Sequence, residues 1–173
     1  GSEMCIRDSY KQYNGTSRVV YSYKEKEIKH MKNITAEQLE ILLLTKAMSD
    51  NIGRVERWAC LDDVVDELLM DGAIDREEYL TSIMELTQLG LISSDIESEE
   101  DIEMSEAVGF EIAGVTKEGL AYIDSLYADT TVKDKVAAFF DKFNEVCNKI
   151  NENGAVKLLG TTIVPILSLL TQL

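Results

Sequence analysis

Arg54, Arg57, Trp58, Arg76, Thr81 and Gln88 are the residues of this chain whose types suit recognition of nucleic acid. Guanidinium groups pair with phosphates or with the acceptor edge of guanine, and the Gln88 amide matches the edge of adenine. A second set is acidic. From Ser93 to Gly109 there are seven carboxylates (Asp95, Glu97, Glu99, Glu100, Asp101, Glu103 and Glu106) and no basic residue. Asp95, Glu97, Glu99, Glu103 and Glu106 fall at positions one, three, five, nine and twelve of a calcium-loop pattern. Glu100, however, stands where the sharp turn of such a loop requires glycine, and Glu replaces the shorter Asp or Asn at the third and fifth places. The segment therefore reads as a solvated loop extended by self-repulsion, with weak, nonspecific cation association.

No catalytic set accompanies these residues. His30 is the only histidine, the cysteines have neither metal-ligand nor redox spacing, and no glycine-rich loop cradles a phosphate. Asp62/Asp63 and Glu77/Glu78 fall in first helical turns, where interaction with the helix dipole accounts for them. The expectation is a non-enzyme with no cofactor and no metal.

The elements that must position these residues follow from periodicity. Thr35 and Gln38 match a capping box before a helix whose inner face is Leu39, Leu42, Leu43, Ala47 and Met48. Leu61, Val64, Val65, Leu68 and Leu69 repeat as one apolar face of a second helix, which Gly72 ends. Asp75 and Glu78 start a third at about Arg76, with Leu80, Ile83, Met84 and Leu91 facing inward and Gly90 closing it. Leu91 and Ile92 open a strand, and Phe110, Ile112 and Val115 flank a return strand. Thr116 then caps a helix carrying Leu120, Ile123 and Leu126. Arg54 to Cys60 reads either as a short strand or as the lead-in to the second helix.

This order, over roughly Thr35 to Tyr127, resembles the winged-helix (helix-turn-helix) domains of bacterial or phage regulators. The run Phe110-Glu-Ile-Ala-Gly-Val-Thr-Lys-Glu-Gly-Leu-Ala-Tyr-Ile123 is similar to their return from wing strand to following helix. The resemblance implies a mostly α fold with a small β-wing (α+β), followed by C-terminal helices. It also implies that the helix from Arg76 is the one such proteins insert into the major groove. That helix is expected to expose Arg76, Glu77, Thr81, Ser82, Glu85 and Gln88. Arg54, Arg57, Arg76, Thr81 and Gln88 are then the candidate nucleic-acid contacts. Charge opposes this use. Phosphate contact supplies most nonspecific affinity, and here both the helix and the wing carry acids.

The two ends read differently from the middle. Gly1-Ser-Glu-Met-Cys-Ile-Arg-Asp8 is similar to an in-frame translation of a transposase sequencing adapter, a scar that a chain assembled from metagenomic DNA would carry. Lys26-Glu-Ile-Lys-His-Met31 can be encoded by a purine-rich ribosome-binding site ahead of an ATG. Residues 1–30 are accordingly expected to be scar and translated leader, or else a flexible arm with a hairpin turn at Asn14-Gly15. They contain six basic and four acidic residues, so the chain from Met31 onward has a net charge of −17, against −15 for the whole. Residues 31–127 form the winged-helix-like domain and 128–173 a C-terminal helical extension with an apolar tail. Val132, Val136, Phe139, Phe140, Phe143, Val146, Cys147 and Ile150 make one face of a helix running from Thr130 or Thr131 to about Asn151. That face packs on its own domain or is shared with a second subunit.

The last sixteen residues, from Leu158, are uncharged and include Pro165, short of the ~20 that cross a bilayer. They are expected to form a docking or oligomerisation helix without a membrane span. Phe139, Phe143, Ile163, Ile166, Leu167 and Leu170 are the candidate interaction residues. Cys60 and Cys147 read as buried small hydrophobes in a reducing, cytoplasmic setting. The expected function is a small acidic protein-interaction or oligomerisation module that binds a protein partner or itself as a homodimer through the C-terminal helices. The alternative is a DNA-binding transcriptional regulator of winged-helix type, as a monomer or a dimer.

Overall fold

The structure, a computed structural model, describes residues 34–70 and 74–153. The helix stop expected at Gly72 and the tail residues Ile163, Ile166, Leu167 and Leu170 lie outside them, as do residues 1–30. Six helices and one two-stranded sheet are described: α1 (Ala36–Asn51), α2 (Leu61–Met70), α3 (Arg76–Gln88), β1 (Ile92–Ser94), α4 (Glu99–Val108), β2 (Ile112–Val115), α5 (Lys117–Leu126) and α6 (Thr130–Asn153). The protein is therefore mostly helical with a small antiparallel sheet.

α1 is the centre of the core. Its capping box forms as the sequence predicts: the Gln38 N–H donates to Thr35 Oγ1 at 3.1 Å, and the Thr35 N–H donates to Gln38 Oε1 at 2.9 Å. One apolar face is expected, yet Ile41, Leu44 and Thr45 are buried along with Leu42, Leu43, Ala47 and Met48. The cause is that α2, α3, α6 and β2 all pack against this helix. The Thr45 hydroxyl, enclosed on that account, donates to its own helix at Ile41 O, 2.8 Å away.

α2 and α3 hold their predicted inner faces, with Val64, Val65, Leu68, Leu80 and Ile83 buried. Asp63 accepts from the Ala59 and Cys60 N–H groups at 2.8 and 3.0 Å, which fixes the entry to α2. Its neighbour Asp62 accepts from the Ile112 N–H at 3.1 Å and ties α2 to β2. Both carboxylates thus have bonds more specific than the dipole interaction expected of them. Arg54 to Cys60 is neither strand nor helix. It is a turn segment with one bridge, Ile52 to Val55, and it buries Trp58.

β1 pairs with β2 with Ile92 opposite Val115 and Ser94 opposite Ile112, and the register shifts between Ser93 and Ser94. The largest departure from expectation lies between the strands. Ser93–Gly109 reads from sequence as an extended acidic loop, but ten of its residues form α4. Ser98 caps this helix in a reciprocal pair with Asp101, and Gly109 closes it at φ 78°. Three acids in the first turn, Glu99, Glu100 and Asp101, lie where the helix dipole favours negative charge. Self-repulsion is outweighed by that placement and by the cap.

α6 packs on α1 and α5. Val136, Phe139, Phe143, Val146, Cys147 and Ile150 are buried within the chain. Of the two readings its apolar face allows, packing on its own domain is the one seen for these residues. Phe139 and Phe143, named among the candidate interaction residues, are completely enclosed within the chain. Burial pushes the Cys147 thiol up to about 11, with Arg54 opposing the shift. Cys60, expected to be buried, is exposed. It precedes α2 at a bend whose inward positions are taken by Trp58 and Leu61.

Candidate functional site

Of the five candidate nucleic-acid contacts, Arg57, Arg76 and Gln88 already have partners within the chain. Arg57 pairs with Glu67 of α2 at 3.2 Å. Arg54 acts electrostatically on Cys147 of α6. Arg76, the first residue of α3, donates to Ser105 Oγ at 3.2 Å and pairs with Glu106 at 3.6 Å, both on α4. Arg57 and Arg76 are thus engaged with two different helices, α2 and α4. Trp58 is buried and contributes no aromatic surface beside them.

The outward face of α3 also differs from expectation. Ser82 is buried, and Glu85 is half-buried where Gln38 of α1 donates to it at 2.6 Å. Glu85 therefore serves the α1–α3 contact. Thr81 is half-buried, and Gln88 is exposed but donates its amide to the Glu97 carbonyl at 2.8 Å. Thr87 and Ser94 share a hydroxyl hydrogen bond of 2.8 Å nearby.

These contacts give the arrangement of the site. The start of α3 is bound to the end of α4, and the end of α3 is bound to the chain just before α4. The acidic helix therefore lies alongside α3 in the opposite direction, held by half-buried Ile102 and buried Ser105. The exposed pair Arg76–Glu106 contributes at most about 1 kcal/mol and serves mainly to set position. The two side chains of α3 best suited to reading a base edge, Arg76 and Gln88, are both engaged by the inserted segment. Sequence reasoning missed α4, although Ser98, Asp101 and Gly109 together spell its start and stop.

The calcium-loop spacing loses its meaning in this fold. Glu99, Glu103 and Glu106 point outward from a helix, while Asp95 accepts from the Glu111 N–H at 2.9 Å. Among the described residues, no group of three or more His, Cys, Asp or Glu is placed to hold a metal ion. A shallow cavity between the first turns of α1 and α3 is rimmed by Glu37, Glu40, Asp75 and Glu78. Burial, with repulsion from Glu37, raises the Glu40 carboxyl above its ordinary value. No helix among the described residues is long and apolar enough to cross a membrane.

The cap of α4 makes a direct test possible. Asp101 accepts from the Ser98 hydroxyl at 2.7 Å and from the Ser98 and Glu97 N–H groups at 2.8 and 3.1 Å. The Ser98 hydroxyl first, and the backbone donors after it, hold this carboxyl below the usual carboxylate range. A depressed carboxylate contributes to the folded state above its ordinary pKa, and that contribution is lost as pH falls through the depressed value. In a carbon-detected NMR titration Asp101 is expected to protonate below an ordinary aspartate, and Ser98→Ala should move it upward. A midpoint at the ordinary value in the native chain would remove the cap from the explanation of α4.

Comparison with protein-family models, with curated proteins and with solved structures finds no match to this chain.

Proposed function

We propose that this protein is a non-catalytic, winged-helix-like interaction module that binds another protein rather than DNA. The order α1–α2–α3, a strand pair and α5 supports the winged-helix reading. The observation that carries the functional choice is the seating of acidic α4 along α3, with Arg76 and Gln88 already bonded to it. A helix that enters a major groove needs that face open and cationic. Here the most acidic element of a chain with net charge −15 lies alongside that helix and is bonded to both its ends. Apposing carboxylates to phosphates is unfavourable at any salt concentration and worst at low salt.

The DNA-binding regulator remains the second reading, on the strength of the helix order alone. Fluorescence anisotropy separates the two. Mixed-sequence duplexes at about physiological salt should show no nonspecific binding at micromolar protein, since few basic side chains can reach phosphate. Tight, salt-sensitive binding would overturn the proposal and restore the regulator.

A further inference from the structure

The outer side of α4 differs in character from the side seated on α3. Met104 and Val108 lie four residues apart, on one face of the helix, and are 53% and 74% exposed. Ala107 is exposed beside them. Single exposed apolar residues are ordinary on protein surfaces, so neither would matter alone. Here, two large apolar side chains occupy consecutive turns of a helix that otherwise shows solvent Glu99, Glu100, Glu103 and Glu106. Of these, Glu106 pairs with Arg76, and the segment from Ser93 to Thr116 itself contains no Lys or Arg. The inner side is fixed by Ile102, Ser105 and the Arg76 contacts, so the outer face is presented on a held element.

We propose that this outer face of α4 is a docking surface for a cationic amphipathic segment of another protein, taken up as a helix. Its apolar side chains would cover Met104 and Val108, and its lysines or arginines would lie against Glu100 and Glu103. Charge complementarity selects this occupant. A second copy of the chain would bring the same carboxylates against one another, and a nucleic acid would bring phosphates. An uncharged apolar partner would leave the surrounding acids without counter-charges. Apolar burial supplies affinity, while the ring of acids supplies steering and choice of partner. The proposal rests on the interaction-module reading and specifies its surface.

The experiment uses the full, isotope-labelled chain and two synthetic probes: an amphipathic helix of leucine and lysine, and an oligolysine of equal charge. Amide shifts on titration with the amphipathic probe should concentrate in residues 99–108. In the double variant Met104→Ser/Val108→Ser, binding of the amphipathic probe should weaken about tenfold or more, while oligolysine binding stays unchanged. Both side chains are exposed, so the variant should keep the native spectrum elsewhere. Equal affinities of the native and variant chains for the amphipathic probe would overturn the surface, as would no binding by the native chain. Shifts confined to another face would overturn it too, yet leave the module reading standing. A mixed-sequence duplex titrated in parallel tests that reading separately, because shifts along α3 would contradict it.

Discussion

Replacing Phe139 by alanine is expected to destabilise the fold by about 3–5 kcal/mol. The ring is completely enclosed. It meets Phe140 edge-on, with centroids 5.4 Å apart, and Phe143 at 6.2 Å. Truncation removes the transfer energy of the ring and leaves a cavity that these neighbours can only partly fill, and the two losses add. Against a typical net stability of about 5–15 kcal/mol, a loss of this size is a large fraction of the whole. Urea denaturation followed by far-UV circular dichroism measures it. α6 is linked to α1 by a polar contact as well, in which the Asn51 amide donates to Asn144 Oδ1 at 2.8 Å. Loss of the helix should therefore disturb α1, and unfolding should remain one cooperative transition. A cost below about 1 kcal/mol, in the range of ordinary surface changes, would mean that Phe139 is not a core residue. The sequence alternative of a helix shared between subunits would then return for this stretch.

The Phe139 result also marks where sequence reading succeeds and where it stops. Apolar residues at intervals of three and four in α2, α3 and α6 identify helices and their inner faces, because period and burial are both local properties of the pattern. Which surface an inner face meets is not local. Val132 to Ile150 has the same pattern whether it covers α1 or a second subunit. α1 shows the related limit: Leu42, Leu43 and Leu44 are consecutive, so no single face accounts for them. Only enclosure by four neighbouring elements explains why all three are buried.

α4 was legible in part. Ser98 with Asp101 three residues on, and Gly109 after Val108, are start and stop signals of the kind recognised at Thr35 and Asp75. The density of carboxylates pointed toward an extended loop, because charge runs are usually solvated and irregular. The structure gives the competing physics: three of those acids occupy a first turn, and one of them completes the cap. Two of the candidate nucleic-acid contacts are engaged within the chain for a related reason. Arg76 and Gln88 have suitable chemistry, but their partners Ser105, Glu106 and the Glu97 carbonyl come from an element whose course the sequence pattern left open. The turn at Arg54–Cys60 was ambiguous throughout, since its seven residues combine buried Val55 and Trp58 with exposed arginines and fit neither period.

Gly119→Ala is expected to lower stability by about 1–3 kcal/mol, although alanine favours a helix over glycine by about 1 kcal/mol. The opposing term is steric. Gly119 lies in the first turn of α5, and its N–H donates to Thr116 Oγ1 at 3.0 Å. The Thr116 hydroxyl in turn donates to Gly90 O at 2.7 Å, and the Thr116 N–H donates to Leu91 O at 3.0 Å. The start of α5 therefore rests directly on the backbone entering β1. A Cβ on Gly119 would stand 2.2 Å from Leu91 O and 2.6 Å from Val115 Cγ1. Val115 can turn aside, but a backbone carbonyl already accepting a hydrogen bond cannot move without losing it. Relief requires α5 to lift away from the end of the sheet, which loosens Ile123 from the core and weakens the pairing of Ile92 with Val115. Thermal unfolding compared with Glu118→Ala, an exposed neighbour on the same turn, isolates this effect, since the Glu118 change should fall within about 0.5 kcal/mol of the native chain. A Gly119→Ala chain more stable than native would show that propensity outweighs contact at this position, and that α5 does not seat on the Leu91 carbonyl.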